Sequence, residues 1–315
     1  FPSAGHEPFD KGSIAIQRNR NPLVVNPAAW LTHEPNGSAG WTVGFDDRFG
    51  NWDANHNIGN RILNNTFQVQ DGGQAFLGSQ ILLGQGGASN RVIVGGLGNF
   101  STLTVNGGIQ IPQQLGSGYG HGLIVTNGYL QFNGAAVGRQ FSTNNYFNVF
   151  SNGVVNLNNS VLSVADQGTS YLNTVSIDSG IVSNVNSISI GGGFASRSNG
   201  ISVVNGGRLL SLGALSVGAN VNSSNNYVNI GGFGNASTVS NTTTTVGSAG
   251  AGGNAITVTN ATWLTSGAAT IGSGASNNTV NVQAGSTWNV FAQGITVGSG
   301  LATGNLLTVT GGTVT

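Results

Sequence analysis

The sequence has no cysteine and no methionine. Without cysteine there is no disulfide framework and no thiolate metal site. Without methionine, Phe1 is not a translation start, so the expectation is a removed signal peptide or a longer natural chain. Charge is scarce too: 6% of residues are Asp, Glu, Lys or Arg, against roughly 25% in ordinary globular proteins. Net charge is zero, which leaves no bulk attraction for nucleic acid or anionic lipid and little repulsion between copies. No apolar run approaches the ~20 residues that span a bilayer. Polar character comes instead from Asn, Ser, Thr and 53 glycines.

The charge that exists is concentrated upstream. Residues 1–71 hold Lys11, Arg18, Arg20, Arg48 and Arg61, with Glu7, Asp10, Glu34, Asp46, Asp47, Asp53 and Asp71. Trp30, Trp41 and Trp52 lie there as well, with all the prolines except Pro112. This shift predicts a boundary near residue 60. Ser13–Gln17 and Leu23–Val25 read as short strands, interrupted by Pro22 and Pro27 and thus suited to edges. Residues 1–60 are expected to cap a repeat array or to dock onto another copy. His6, His33 and His56 match no ligand spacing, so no metal site is predicted.

Residues 61–315 repeat one pattern, Asn-x-apolar-x-apolar followed by a turn. The copies begin at Asn65, Asn90, Asn145, Asn173, Asn199, Asn226, Asn254, Asn278 and Asn305, with His121 in the same place in one more. Their second apolar residues fall at 69, 94, 125, 149, 177, 203, 230, 258, 282 and 309, a step of 24 to 31 residues. Steps of that size mark a solenoid. Each period holds a second stretch, such as Tyr129–Phe132 or Trp263-Leu264, and a third ending in an apolar residue and usually Gly, such as Val217-Gly218. Val105-Asn106 and Val164-Ala165 are read as departures from that ending.

Three strands and three corners per turn predict an all-β, three-faced parallel β-helix of nine complete turns and a partial tenth. At roughly 4.8 Å per turn this is a rod of ~45–50 Å. Propeller blades need more residues and a fourth strand, and sandwich strands do not repeat one motif ten times. Stacked asparagines would donate and accept along the rod, and Asn also tolerates a left-handed corner. The longest turn, ending at His121 and carrying Pro112, is expected to bulge from about Gly108 to Gly120.

The segment Ile271–Val290 resembles repeats of secreted bacterial β-solenoid proteins and is similar to autotransporter-type passenger and adhesin repeats. The resemblance covers residues 61–315. It implies an exported bacterial protein at the cell surface or in a fibre, and leaves the ligand open.

Little chemistry is legible. A carbohydrate-active β-helix needs paired carboxylates or a bound cation. Beyond residue 71 the only acids are Asp166 and Asp178, on different strand types, and the only bases are Arg91, Arg139, Arg197 and Arg208. Gly191-Gly192-Gly193 lacks the lysine and helix of a phosphate loop. No catalytic, cofactor-binding or metal residue is therefore assigned, and no enzyme activity is expected. Asn99, Asn222, Asn235, Asn260 and Asn277 stand in Asn-x-Ser/Thr triplets. Two roles remain. One is a fibre subunit joined end to end by strand addition, from the unfinished rung Leu307–Thr315 to the N-terminal segment. The other is an adhesive rod that binds a glycan or cell-surface ligand.

Overall fold

The computed structural model describes residues 31–33, 41–45, 56–60, 63–84, 87–112 and 118–315. They form a stack of β-rungs with three faces and no helix. Face 1 is a ten-stranded parallel sheet, Thr66–Val69 at one end and Leu306–Thr310 at the other. Faces 2 and 3 belong to one larger sheet, because Gly153–Gln167 and Ile181–Ile190 run through the corner between them. About nine turns are stacked, as the period predicted.

Alternation explains why the stack closes. In Thr66–Val69, Phe67 and Val69 point inward and Thr66 and Gln68 outward. The register keeps this phase from rung to rung: Val149 lies beside Ile177, Ile177 beside Val203 and Val203 beside Ile230. One continuous apolar column results, from Ile58 to Val290. A one-residue slip would turn every inward side chain out, so burial fixes the register.

The corner between faces 3 and 1 is held by the asparagine ladder. Asn90, Asn145, Asn173, Asn199, Asn226, Asn254 and Asn278 are fully buried, as is His121. Asn199 donates its backbone N–H and its Nδ2 to Oδ1 of Asn226, both at 3.1 Å. Asn226 does the same to Asn254 at 3.0 and 3.1 Å. The pattern runs to Asn305. The ladder reading of the asparagines holds, whereas the left-handed conformation falls on the residue before each, as at Asn144, Leu172, Ser198 and Gly253, and on none of the ladder asparagines themselves.

The glycine ending face 3 has its reason in the same ladder. A Cβ on Gly218 (φ +69°) would stand 2.3 Å from Nδ2 of Asn254, and one on Gly247 2.2 Å from Nδ2 of Asn278. Ala165 occupies the corresponding corner with φ +59°.

Two sequence expectations change. Val105 ends the face 2 strand Ser101–Val105, and the face 3 strand of that rung is Ile109–Ile111. Gly107 and Gly108 turn the corner, and Ile109 and Ile111 are buried on either side of Gln110. The insertion is correspondingly shorter than Gly108–Gly120, because Ile109–Ile111 pairs with Ala135–Val137 in the sheet; residues 113–117 lie outside the described residues. Upstream, Trp41–Phe45 pairs in parallel with His56–Asn60, which pairs with Ile81–Leu83. Leu31–His33 adds an antiparallel strand. The strands expected at Ser13–Gln17 and Leu23–Val25, and His6, lie outside the described residues.

Candidate functional site

Face 3 presents a column of short polar side chains on its exterior. Its outward central positions are in register as Gln110, Ala136, Ser163, Ser189, Ser216, Thr245, Thr270 and Thr296. The last six are hydroxyl residues on consecutive rungs, spaced at about 4.8 Å. Such short side chains leave the face flat.

At its upstream end the face deepens into an open groove of about 540 Å³. Gln80, Gln110, Asn133, Arg139, Asp166 and Asn186 line it, from successive rungs. Arg139 Nη1 donates to Gln110 Oε1 at 2.7 Å, and Gln110 Nε2 donates to Gln80 Oε1 at 3.2 Å. Arg139 Nε lies 3.4 Å from Asp166 Oδ1. These side chains are three-quarters or more buried, so the pair is less screened than a surface ion pair. Burial pushes the Asp166 carboxyl up from its ordinary value, and Arg139 pulls it back down.

The two downstream carboxylates are apart. Asp166 closes face 3, whereas Asp178 ends the face 1 strand Thr174–Asp178 and accepts Asn205 Nδ2 at 2.9 Å. Among the described residues no group of three or more His, Cys, Asp or Glu gathers as metal ligands would. The Arg139–Asp166 pair escaped sequence reasoning. Its signal was the spacing of 27 residues, one turn of the coil. An extra residue in the lower rung hid it: Val137 lies beside Val164, but Arg139 lies beside Gln167.

The Asn-x-Ser triplets at Asn99 and Asn235 also acquire a structural meaning. Ser101 Oγ accepts the backbone N–H of Gly72 at 3.0 Å, and Ser237 Oγ that of Gly206 at 3.2 Å. Both serines are buried supports for the turn on the preceding rung.

No protein-family model matches this sequence, and no curated protein matches it. Among solved structures, the TibC-catalyzed hyper-glycosylated TibA55-350 fragment is similar over 79% of this chain and 90% of that chain, with 18% identity and a TM-score of 0.21.

Proposed function

We propose that this chain is an adhesive extracellular rod of a bacterial cell surface, which binds a neutral linear glycan along face 3 without turning it over. The single observation behind this reading is the groove around Arg139. It offers amide, hydroxyl and guanidinium groups on successive rungs, about 4.8 Å apart. Amides and hydroxyls both donate and accept, which suits sugar hydroxyls. The one carboxylate there, Asp166, is already engaged by Arg139. A lone carboxylate gives no acid/base pair for glycoside hydrolysis, and this supports binding over catalysis.

Affinity electrophoresis and calorimetry with a panel of neutral and acidic polysaccharides test the proposal. A neutral polymer is expected to bind, with at least tenfold loss in Arg139→Ala and Asn133→Ala variants that keep the wild-type circular dichroism. Absence of binding to every polymer, or binding that both variants retain, would overturn it.

A further inference from the structure

The corner between faces 1 and 2 is tight in most rungs but opens twice into the same loop. Gly95-Gly96-Leu97-Gly98-Asn99 and Gly231-Gly232-Phe233-Gly234-Asn235 share a sequence pattern and a backbone conformation. Their glycines have φ of +88°, +145° and +110° in the first loop and +82°, +144° and +106° in the second. The neighbours are duplicated as well. On the rung before stand Asp71-Gly72 and Asn205-Gly206, and a Cβ on Gly98 or Gly234 would lie 2.8 Å from their side-chain Oδ1. On the rung after, Asn127 Nδ2 donates to the Gly98 carbonyl and Asn260 Nδ2 to the Gly234 carbonyl, both at 2.8 Å. The backbone N–H of Gly96 and of Gly232 donates to Thr126 and Thr259 in the same way.

Each loop is thus clamped from both sides, and its tip is free. Leu97 is 100% exposed and Phe233 101%. Folding does not need an apolar side chain at either tip, since it touches nothing. The two tips stand on one edge of the rod, five rungs and therefore about 24 Å apart.

A receptor of matching character lies on the next corner, between faces 2 and 3. There Leu212, Leu264 and Phe291 wall a groove of about 300 Å³. Its floor is Asn241, whose hydrogen-bonding groups are all engaged. Oδ1 accepts Trp263 Nε1 at 2.8 Å, and Nδ2 donates to the Thr243 carbonyl at 2.8 Å and to Thr244 Oγ1 at 2.9 Å. Ser211 Oγ, also on the floor, donates to the Val185 carbonyl at 3.2 Å. With these two groups engaged and Leu212, Leu264 and Phe291 around them, the groove suits an apolar side chain, beside the hydroxyls of Ser240, Thr242 and Ser266 that also line it.

We infer that the Phe233 loop of one copy seats in the Leu212–Leu264–Phe291 groove of a second copy lying alongside it. Knob and groove are on different corners, so the contact joins unlike surfaces and can repeat from rod to rod. Zero net charge leaves side-by-side approach unopposed. A common rung spacing keeps the two rods in step along their length.

The absence of cysteine makes a clean test possible. Phe233→Cys protein is mixed with Leu264→Cys protein and oxidised, with Thr257→Cys on face 1 as the control partner. Disulfide-linked heterodimers should form well above the control, and wild-type protein should self-associate in sedimentation velocity. A Leu97→Ser/Phe233→Ser variant should stay monomeric at the same concentration with an unchanged melting temperature. Wild-type protein that is monomeric at millimolar concentration, or cross-linking no faster than the control, would overturn the inference. So would association that survives the double substitution. Flotation of wild-type protein with phosphatidylcholine vesicles, lost in the double variant, would assign the tips to lipid and would equally overturn it.

Discussion

His121 Nδ1 accepts the backbone N–H of Asn90 at 3.2 Å, where the neighbouring corners offer an asparagine Oδ1. Its Nε2 lies 3.0 Å from the Gly87 carbonyl and donates to it. With Nδ1 accepting and Nε2 donating, the ring is neutral. Its own backbone N–H continues the ladder to Asn145 Oδ1 at 3.0 Å. The histidine is thus a member of the ladder. The ring also uses the space left by Gly84, where a Cβ would come within 2.1 Å of Cε1.

Acid should expose this substitution. Burial lowers the His121 pKa to about 4 from 6.5, with the Gly87 bond acting in the opposite direction. Between those values the unfolded chain takes up a proton that the folded chain refuses, so stability rises with pH there. The contribution is fully present above pH 6.5 and is lost as pH falls towards 4, by about 3 kcal/mol at most. Denaturant titrations across this window should show the loss, and His121→Asn should remove it while keeping the ladder. The carboxyl of Asp166, raised by burial, acts in the opposite direction. Comparing His121→Asn with wild type cancels it. An identical pH profile in the two proteins would contradict the neutral buried ring.

Interrupting the ladder in mid-rod should be costlier than losing one surface bond. Asn226→Ala removes the acceptor for two donors of Asn199, one of the two donors to Asn254 Oδ1 and the donor to the Ser196 carbonyl. All lie in a fully buried corner. Stranding buried groups costs about 1–3 kcal/mol each, partly recovered by relaxation, so a net loss of about 2–4 kcal/mol is expected. Hydrogen exchange should show it as lost amide protection at Asn199. Uniform protection along the rod in the variant would contradict that assignment.

The face 3 corner yields a pair of opposite substitutions. Gly218→Ala puts a methyl group where Asn254 sits and places Ala at φ +69°. The left-handed conformation and the overlap together should destabilise by about 2–4 kcal/mol. Ala165→Gly meets the reverse situation, since Ala165 already sits at φ +59°. Relief of that conformation, less the added freedom of the unfolded chain, should stabilise by about 0.5–1 kcal/mol. Chemical denaturation of both variants checks the two signs.

The repeat was legible because burial on three faces leaves a period in the sequence. Val258, Val282 and the ladder asparagines recur whatever the intervening loops contain. What escaped was whatever depends on register between rungs. Arg139 and Asp166 are separated by a turn and an extra residue. The twin loops at Leu97 and Phe233 share the pattern Gly-Gly-x-Gly-Asn in the sequence, but their common conformation and their supports on neighbouring rungs do not show there. Val105 was misplaced because an apolar residue before a polar corner looks alike on faces 2 and 3, and only pairing of Ile109 with Ala135 separates them.

Downstream of Arg208 the described core has no charge, and two tryptophans do much of the filling. Trp263 and Trp288 stack with ring centroids 4.3 Å apart and planes at 7°. Both are fully buried, one directly above the other in the face 2 register. Their indole N–H groups are not left unpaired: Trp263 donates to Asn241 Oδ1 at 2.8 Å and Trp288 to Thr265 Oγ1 at 3.1 Å. Trp288→Ala should therefore cost about 3–5 kcal/mol through the cavity it opens. It also frees the Thr265 hydroxyl from one partner, whereas Trp288→Phe keeps most of the volume and loses only that bond. Stacked indoles couple electronically, so the wild-type circular dichroism should carry an exciton pair that disappears in either variant. If Trp288→Phe unfolds as early as Trp288→Ala, the hydrogen bond and not the packing holds this end of the rod; if it recovers most of the lost stability, packing does.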